Sequence, residues 1–402
     1  MINKCEICGQ KKLLPVLSLG SHPLCDDLIK VGSNKKSKLH KIEIIFCKDC
    51  IIAYQKYPVS KKTLFPKNYH YRSKFTKDVI TGMKEVLNKS KNLCGSLRNK
   101  VVLDIGCNDG SLLDFFKKKG AITVGIEPTN AADEAKSNGH AIYKSYFDKN
   151  TVLKVKKKYK QIDIIAFTNV FAHIENLRLL IKNLKQLISK DTYLIIENHY
   201  LGSVIKKKQF DTFYHEHPRT YSLQSFLKIS KLLNANLINY SFPKRYGGNI
   251  RVIYSRKNFF YLNIKKNRLK KEKKYFVKLK NMKIFINRWK FKKGKLLENL
   301  VKKHGALPAK GFPGRAAILI KLLNLDKNHL RCVHEQNMSN KVGHYVPGTK
   351  IPIVPDKQLK KLNKTTPIIN LAWHIKDEIK KYLIKKNIRN KVIEVLEHKD
   401  FK

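Results

Sequence analysis

The densest run of reactive side chains in the chain is Phe210-Asp-Thr-Phe-Tyr214-His215-Glu216-His217-Pro-Arg219. An imidazole can accept a proton, a carboxylate can orient it, and a phenol hydroxyl can donate to a developing oxyanion. Two histidines, a glutamate and a tyrosine within four positions therefore hold what is needed to remove a proton and stabilise the charge left behind. The plainer alternative is that His215 or His217 caps a helix predicted over 222–233. A further imidazole, His173 in Asn169-Val-Phe-Ala-His173-Ile, follows the apolar run 162–167.

A second constellation is Asp104-Ile-Gly106-Cys-Asn108-Asp109-Gly110, at the end of the apolar stretch 101–105, with Gly125-Ile-Glu127 one strand later. Gly106 and Gly110 let backbone approach a ligand closely, and Glu127 ends a strand where a carboxylate can accept both hydroxyls of a ribose. The ligand expected is a nucleoside. The spacing is not G-x-G-x-x-G, and Asp104 and Asp109 beside the turn would repel a pyrophosphate but suit a sulfonium and an α-amino group. The pattern resembles motif I of class I S-adenosylmethionine methyltransferases, which implies that Asp104, Gly106, Asn108, Asp109, Gly110, Glu127 and Asn169 line the cofactor site.

The third is a pair of knuckles, Cys5-Glu-Ile-Cys8 and Cys47-Lys-Asp-Cys50. Each places two thiolates on one side of a tight turn, so together they complete a tetrahedral zinc site. Four thiolates leave no open position on the metal, so zinc is expected to be structural. Cys25, Cys94, Cys107 and Cys332 are isolated and read as ordinary small core residues.

The elements that must carry these residues alternate in βαβ rhythm: helix-like pieces at 131–138, 152–159 and 177–188, strand-like ones at 162–167 and 193–197. That rhythm predicts a mainly parallel sheet with helices on both faces and a ligand beyond the carboxyl ends of the strands, where Asp104, Glu127, Asn169 and Glu197 fall. Phe276, Leu279, Met282, Ile286 and Trp289, three or four apart, predict one helix face in a lysine-dense connector. Farther on, 318–325 reads as a helix, 367–373 as a buried strand and 376–384 as a helix, a smaller α/β domain. In it, the amides of Gly311-Phe-Pro-Gly314 with Arg315 either receive a phosphate or form a plain tight turn.

The fold class is thus α/β: an N-terminal zinc-binding module (1–75), a central Rossmann-like methyltransferase domain (76–256), a basic helical connector (257–304) and a smaller C-terminal α/β domain (305–402). The net charge of +54, from 84 Lys+Arg against 30 Asp+Glu, would ordinarily suggest nucleic acid or an anionic membrane. The excess is lysine spread through every segment, which reads as a general compositional bias, so neither a nucleic-acid partner nor membrane insertion is expected. No run reaches the length of a membrane span and Met1-Ile-Asn-Lys-Cys-Glu lacks a signal-peptide core, so the cytoplasm is expected.

In order, the cysteine knuckles, Asp-Ile-Gly-Cys-Asn-Asp-Gly, Gly-Ile-Glu-Pro, Asn169-Val-Phe-Ala-His-Ile, Phe-Asp-Thr-Phe-Tyr-His-Glu-His, Tyr246-Gly-Gly-Asn-Ile-Arg251 and Tyr345-Val-Pro-Gly-Thr-Lys-Ile-Pro352 resemble the zinc-containing sugar C-methyltransferase family over nearly the whole chain. The resemblance implies methylation of a carbon in a nucleotide-linked 4-keto-deoxysugar, with His217 as base, Tyr214 and Glu216 supporting it and the developing enolate, and His173 helping to hold the sugar. It also implies that either Tyr69 or Tyr71 lines the pocket, and that the C-terminal domain helps hold the substrate's nucleotide. Residue types alone leave two other readings open: a sugar O-methyltransferase, and a zinc-bearing RNA-binding protein or RNA methyltransferase. The oligomeric state is open.

Overall fold

The computed structural model describes residues 1–257, 262 and 264–401, and the chain divides into two compact units. The first gathers 1–15, 45–204 and the stretch from 216 to 276; the second gathers 16–44, 205–215 and the chain from 277 onward.

The first unit is built on a seven-stranded sheet. Its strands are β1 (Val101–Ile105), β2 (Ile122–Ile126), β3 (Ala141–Tyr143), β4 (Ile164–Thr168), β5 (Tyr193–His199), β6 (Asn236–Ser241) and β7 (Asn249–Ser255), in the order β6-β7-β5-β4-β1-β2-β3. Strands β1 to β5 are parallel, and β7 runs antiparallel to both β5 and β6. Their residues are apolar on both faces because helices cover both. Val102, Ile164, Ala166 and Ile195 meet α1 (Lys77–Cys94) and α2 (Ser111–Lys117) through Val79, Met83, Val86, Leu112, Leu113 and Phe116. Leu103, Ile105, Ile165, Phe167, Leu194 and Ile196 face the other way. There they share a core with Val152 and Val155 of α4 (Lys149–Lys158), with α5 (Leu177–Leu187) and with α6 (Leu223–Leu233). The short α3 (Ala131–Ser137) adds Ala135 to the α1 side. This is the Rossmann-like sheet that the alternating pattern predicts.

The cap of α6 settles one alternative. Ser222 Oγ accepts from Ser225 N at 3.0 Å while Ser225 Oγ accepts from Ser222 N at 2.9 Å. A reciprocal serine box satisfies the helix start, so neither His215 nor His217 is its cap.

The second unit holds an all-parallel five-stranded sheet: β8 (Leu307–Lys310), β9 (Leu330–Glu335), β10 (Ile353–Pro355), β11 (Ile368–Asn370) and β12 (Val392–Glu394), in the order β10-β9-β8-β11-β12. It also contains α7 (Met282–His304), α8 (Ala316–Leu322) and α9 (Lys376–Lys385). The single helix face expected from Phe276 to Trp289 is divided: one helix, Tyr275–Lys280, ends before Asn281, and α7 starts after it. Leu279, Met282 and Trp289 are nonetheless fully buried, and Trp289 Nε1 donates to Val395 O at 2.9 Å. Lys293 is buried as well, with Nζ 2.8 Å from Glu394 O. One face of this lysine-dense stretch therefore packs within its own unit. No helix among the described residues is long and apolar enough to cross a membrane.

Candidate active site

All four knuckle cysteines fall in the first unit, with their sulfur atoms within 4.8 Å of one another. Cys8 Sγ and Cys47 Sγ are 3.7 Å apart, close to the edge of about 3.8 Å that a tetrahedron with 2.3 Å zinc–sulfur bonds requires. Without a cation the four cannot all ionise. Hydrogen bonds from Cys47 and Cys50 hold the Cys5 thiol well below its usual range, and Cys47, donating to Cys5, is pushed up to about 12. The donor set and its spacing fit zinc. The Tyr54 hydroxyl stands 3.3 Å from Cys5 Sγ, and Glu6 links the knuckle to Arg219, whose guanidinium it receives through both carboxylate oxygens.

The turn after β1 needs its glycines. Gly106 has φ +74° and a Cβ there would stand 2.6 Å from the Val170 methyls; Gly110 has φ +81° and a Cβ would stand 2.9 Å from the His140 ring. Glu127 is buried, with Oε1 accepting from Thr129 N and Oγ1 and Oε2 accepting from Asn108 N at 3.1 Å. Asp104 is 1% exposed, and among the described residues neither of its carboxylate oxygens has a hydrogen-bond partner. Burial, reinforced by Glu127 and Asp109, pushes its pKa up to about 8. An orphaned buried acid at a strand end fits a ligand that brings positive charge or N–H donors, as S-adenosylmethionine does.

Three of the predicted cofactor residues, Asn108, Asp109 and Asn169, have protein partners for their side chains. The Asn108 carboxamide donates to Tyr71 O at 3.1 Å and accepts from Ser73 N at 2.9 Å, and Asp109 Oδ2 accepts from Lys74 N at 2.9 Å. The segment 71–74 is thereby tied across the turn. Asn169 has φ +59° and its side-chain oxygen accepts from Asn249 Nδ2. Glu197, at the same rim, is fully buried and consumed by Arg245, Arg251 and Asn249.

The same unit gathers the imidazoles. The His217 ring lies 5.0 Å from His173, centroid to centroid, and 4.8 Å from His199, the last residue of β5. Burial pushes His173 down to about 4. Tyr69 donates to Glu216 Oε2 at 3.3 Å, whereas the Tyr71 hydroxyl is 3.3 Å from that of Tyr246. The sequence motifs do not mark His199 as a site residue, and they name Tyr246 only as part of Tyr246-Gly-Gly-Asn-Ile-Arg251. His199 follows Glu197 by two positions at a strand end already marked as a rim, and that spacing was the available signal.

Tyr214 and His215 belong to the second unit. Tyr214 is half-buried, and His215 Nε2 sits 3.1 Å from His40 O. In that unit the Arg315 guanidinium is buried and pairs with both oxygens of Asp211, with Thr212 Oγ1 a third acceptor. Trp373 Nε1 donates to the same Asp211, and Phe312 N donates to Glu335. In this loop the guanidinium is thus paired with Asp211, and Glu335 receives the Phe312 amide.

Three family models match the chain: "Putative zinc binding domain" over residues 5–65, "Methyltransferase domain" over 75–239 and "C-methyltransferase C-terminal domain" over 244–392. The Rossmann-like unit and its turn are those of a methyltransferase that uses S-adenosylmethionine. The chain belongs to the S-adenosylmethionine-dependent methyltransferases that combine a zinc-binding module with a C-methyltransferase carboxyl-terminal domain. A curated relative, C-methyltransferase NovU of Streptomyces niveus, is 24% identical over 251 residues, 62% of this chain and 60% of the relative. The match thus spans about 60% of that relative's length. Among solved structures, magnesium protoporphyrin IX methyltransferase (ChlM) from Synechocystis PCC 6803 with bound SAH is similar at TM-score 0.37 and 17% identity, over 45% of this chain and 84% of that one. PH0226 protein from Pyrococcus horikoshii OT3 is similar at TM-score 0.35 and 12% identity, over 49% and 98%. Both overlaps are partial, and the family assignment rests on the sequence matches.

Proposed function

We propose that the protein methylates a carbon next to the ketone of a nucleotide-linked 4-keto-deoxysugar. The observation that carries this reading is the His217 ring packed near both His173 and His199, with Glu216 held by Tyr69, in the same unit as the cofactor turn. The C-methyltransferase match over 244–392 and the relative named a C-methyltransferase support it.

Bound S-adenosylmethionine would supply an electrophilic methyl and depart as a neutral thioether, so its departure needs no acid. Asp104 would face its positive charge, and Glu127 would receive its ribose hydroxyls. The demanding step falls to the protein, because a sugar carbon is nucleophilic only after a proton α to the ketone has been removed. His217 would take that proton; a positioned base contributes about 10²–10⁴-fold. His173, kept neutral by burial, would hold the sugar without competing for the proton. Tyr214 would donate to the enolate oxygen, and Glu216, fixed by Tyr69, would orient the base. Tyr69 rather than Tyr71 is the pocket tyrosine on this reading. Cys5, Cys8, Cys47 and Cys50 would hold a structural zinc.

The reading is tested by proton exchange in deuterium oxide, with a panel of thymidine- and guanosine-diphosphate-linked 4-keto-deoxyhexoses as acceptors. Wild-type protein should introduce deuterium beside the ketone of one member, and His217→Ala should lower that exchange by about 10²-fold or more. Unchanged exchange in His217→Ala would remove His217 from the role.

A further inference from the structure

Three imidazoles lie close together in the first unit. The His217 ring centroid is 5.0 Å from that of His173, at an interplanar angle of 29°, and 4.8 Å from that of His199, at 58°. Beyond His199 the ring of Tyr246 lies edge-on at 5.7 Å, its hydroxyl against that of Tyr71. His199 closes β5 and is half-buried, so its backbone is fixed by the sheet while its side chain reaches toward the rim.

We propose that His199 receives the proton that His217 takes from the substrate and delivers it to water. This rests on the C-methylation reading above. In that reaction the substrate C–H bond breaks, its electron pair passes into the ketone as an enolate, and the proton remains on His217. Without methyl transfer the carbon can take a hydron back, which is the exchange followed in deuterium oxide; when the enolate pair instead forms the new carbon–carbon bond, that proton is not returned. His217 thus ends every turnover as an imidazolium, and the enzyme cannot act again until that proton leaves.

Two neighbours could accept it. Burial pushes His173 down to about 4, which leaves it a poor acceptor. His199 is the other imidazole packed on His217, its ring centroid 4.8 Å away and its side chain half-buried at the end of β5. Two imidazolium charges at this distance repel, and passing the proton to His199 returns His217 to the neutral imidazole that a base must be. The transfer moves one proton and no other group: imidazolium His217 becomes imidazole, His199 becomes imidazolium, and water finally takes the proton.

The test uses full-length His199→Gln, with His199→Asn made alongside so that a folded variant carries the measurement, verified by circular dichroism. The acceptor is whichever member of the panel the wild-type protein methylates. Turnover should fall tenfold or more with KM for both substrates within twofold of wild type, and imidazole added to the buffer should restore it. Turnover within twofold of wild type, or a fall that imidazole does not restore, overturns the relay. Wild-type protein that exchanges no carbon-bound hydrogen on any panel member contradicts the methylation reading instead, so the two failures are distinct.

Discussion

A buried carboxylate without a donor penalises folding in proportion to its ionisation, and at Asp104 that penalty has a pH signature. Its pKa rises from 3.8 to about 8, chiefly through burial. Between these values the unfolded chain is ionised while the folded chain keeps its proton, so stability is lost as pH rises from about 4 to about 8. Each pKa unit is worth about 1.4 kcal/mol. Asp104→Asn should therefore melt higher than wild type above pH about 8, by a few kcal/mol, and equal it near pH 4. Calorimetric titration of the same variant with S-adenosylmethionine should show at least a tenfold weaker affinity. A lower melting temperature above pH 8 would mean that Asp104 has a partner. Asp104, Glu127 and the two glycines were legible because the turn is contiguous and its chemistry local. His199 was not: its ring meets His217 and Tyr246, which arrive from segments 18 and 47 positions later, and no local pattern marks such a meeting.

At the scale of elements, helix α1 and the rim of the sheet are held by one buried charge network. Arg245 reaches over Gly82 to place its guanidinium on Glu197 and on Val79 O. Arg251 bridges Glu197 to Glu85, and Asn249 joins Glu197 to Asn169. The network fixes Tyr246, next to Arg245, in a left-handed conformation at φ 50°. A Cβ on Gly82 would fall 1.6 Å from Arg245 Cζ, so Gly82→Ala must expel the guanidinium and leave Glu197 short of a partner. Breaking a buried pair this way costs about 3–5 kcal/mol, against the gain of about 1 kcal/mol that alanine normally brings to a helix interior. Gly294→Ala in α7, where nothing lies within 4 Å of the new Cβ, should show only that gain. Thermal melting of the two variants separates the contributions, and equal shifts would show that Gly82 yields space freely. The helices and strands themselves were readable from their periodicity. The network was not, since Glu197 looked like one more ligand at a strand end until Arg245 and Arg251 were seen on it. The break at Asn281 leaves no mark in the pattern, because the apolar spacing on either side of it stays nearly in phase.

For the whole molecule, the zinc knuckles, the methyltransferase core and the C-terminal α/β unit occur in the order that their motifs announce, because each carries a compact signature. What spacing could not reveal is that the segment between the knuckles and the run 205–215 belong to the second unit. That division falls between His215 and Glu216, within the run Tyr214-His-Glu-His217 that reads in sequence as one cluster. The decisive measurement is where the new methyl group sits. Incubated with S-adenosylmethionine and the panel of nucleotide-linked 4-keto-deoxyhexoses, the protein should convert one member to a product whose methyl, by carbon-13 NMR, is bonded to the carbon beside the ketone. A methyl bonded through oxygen, or no methylated product from any member, would contradict the account.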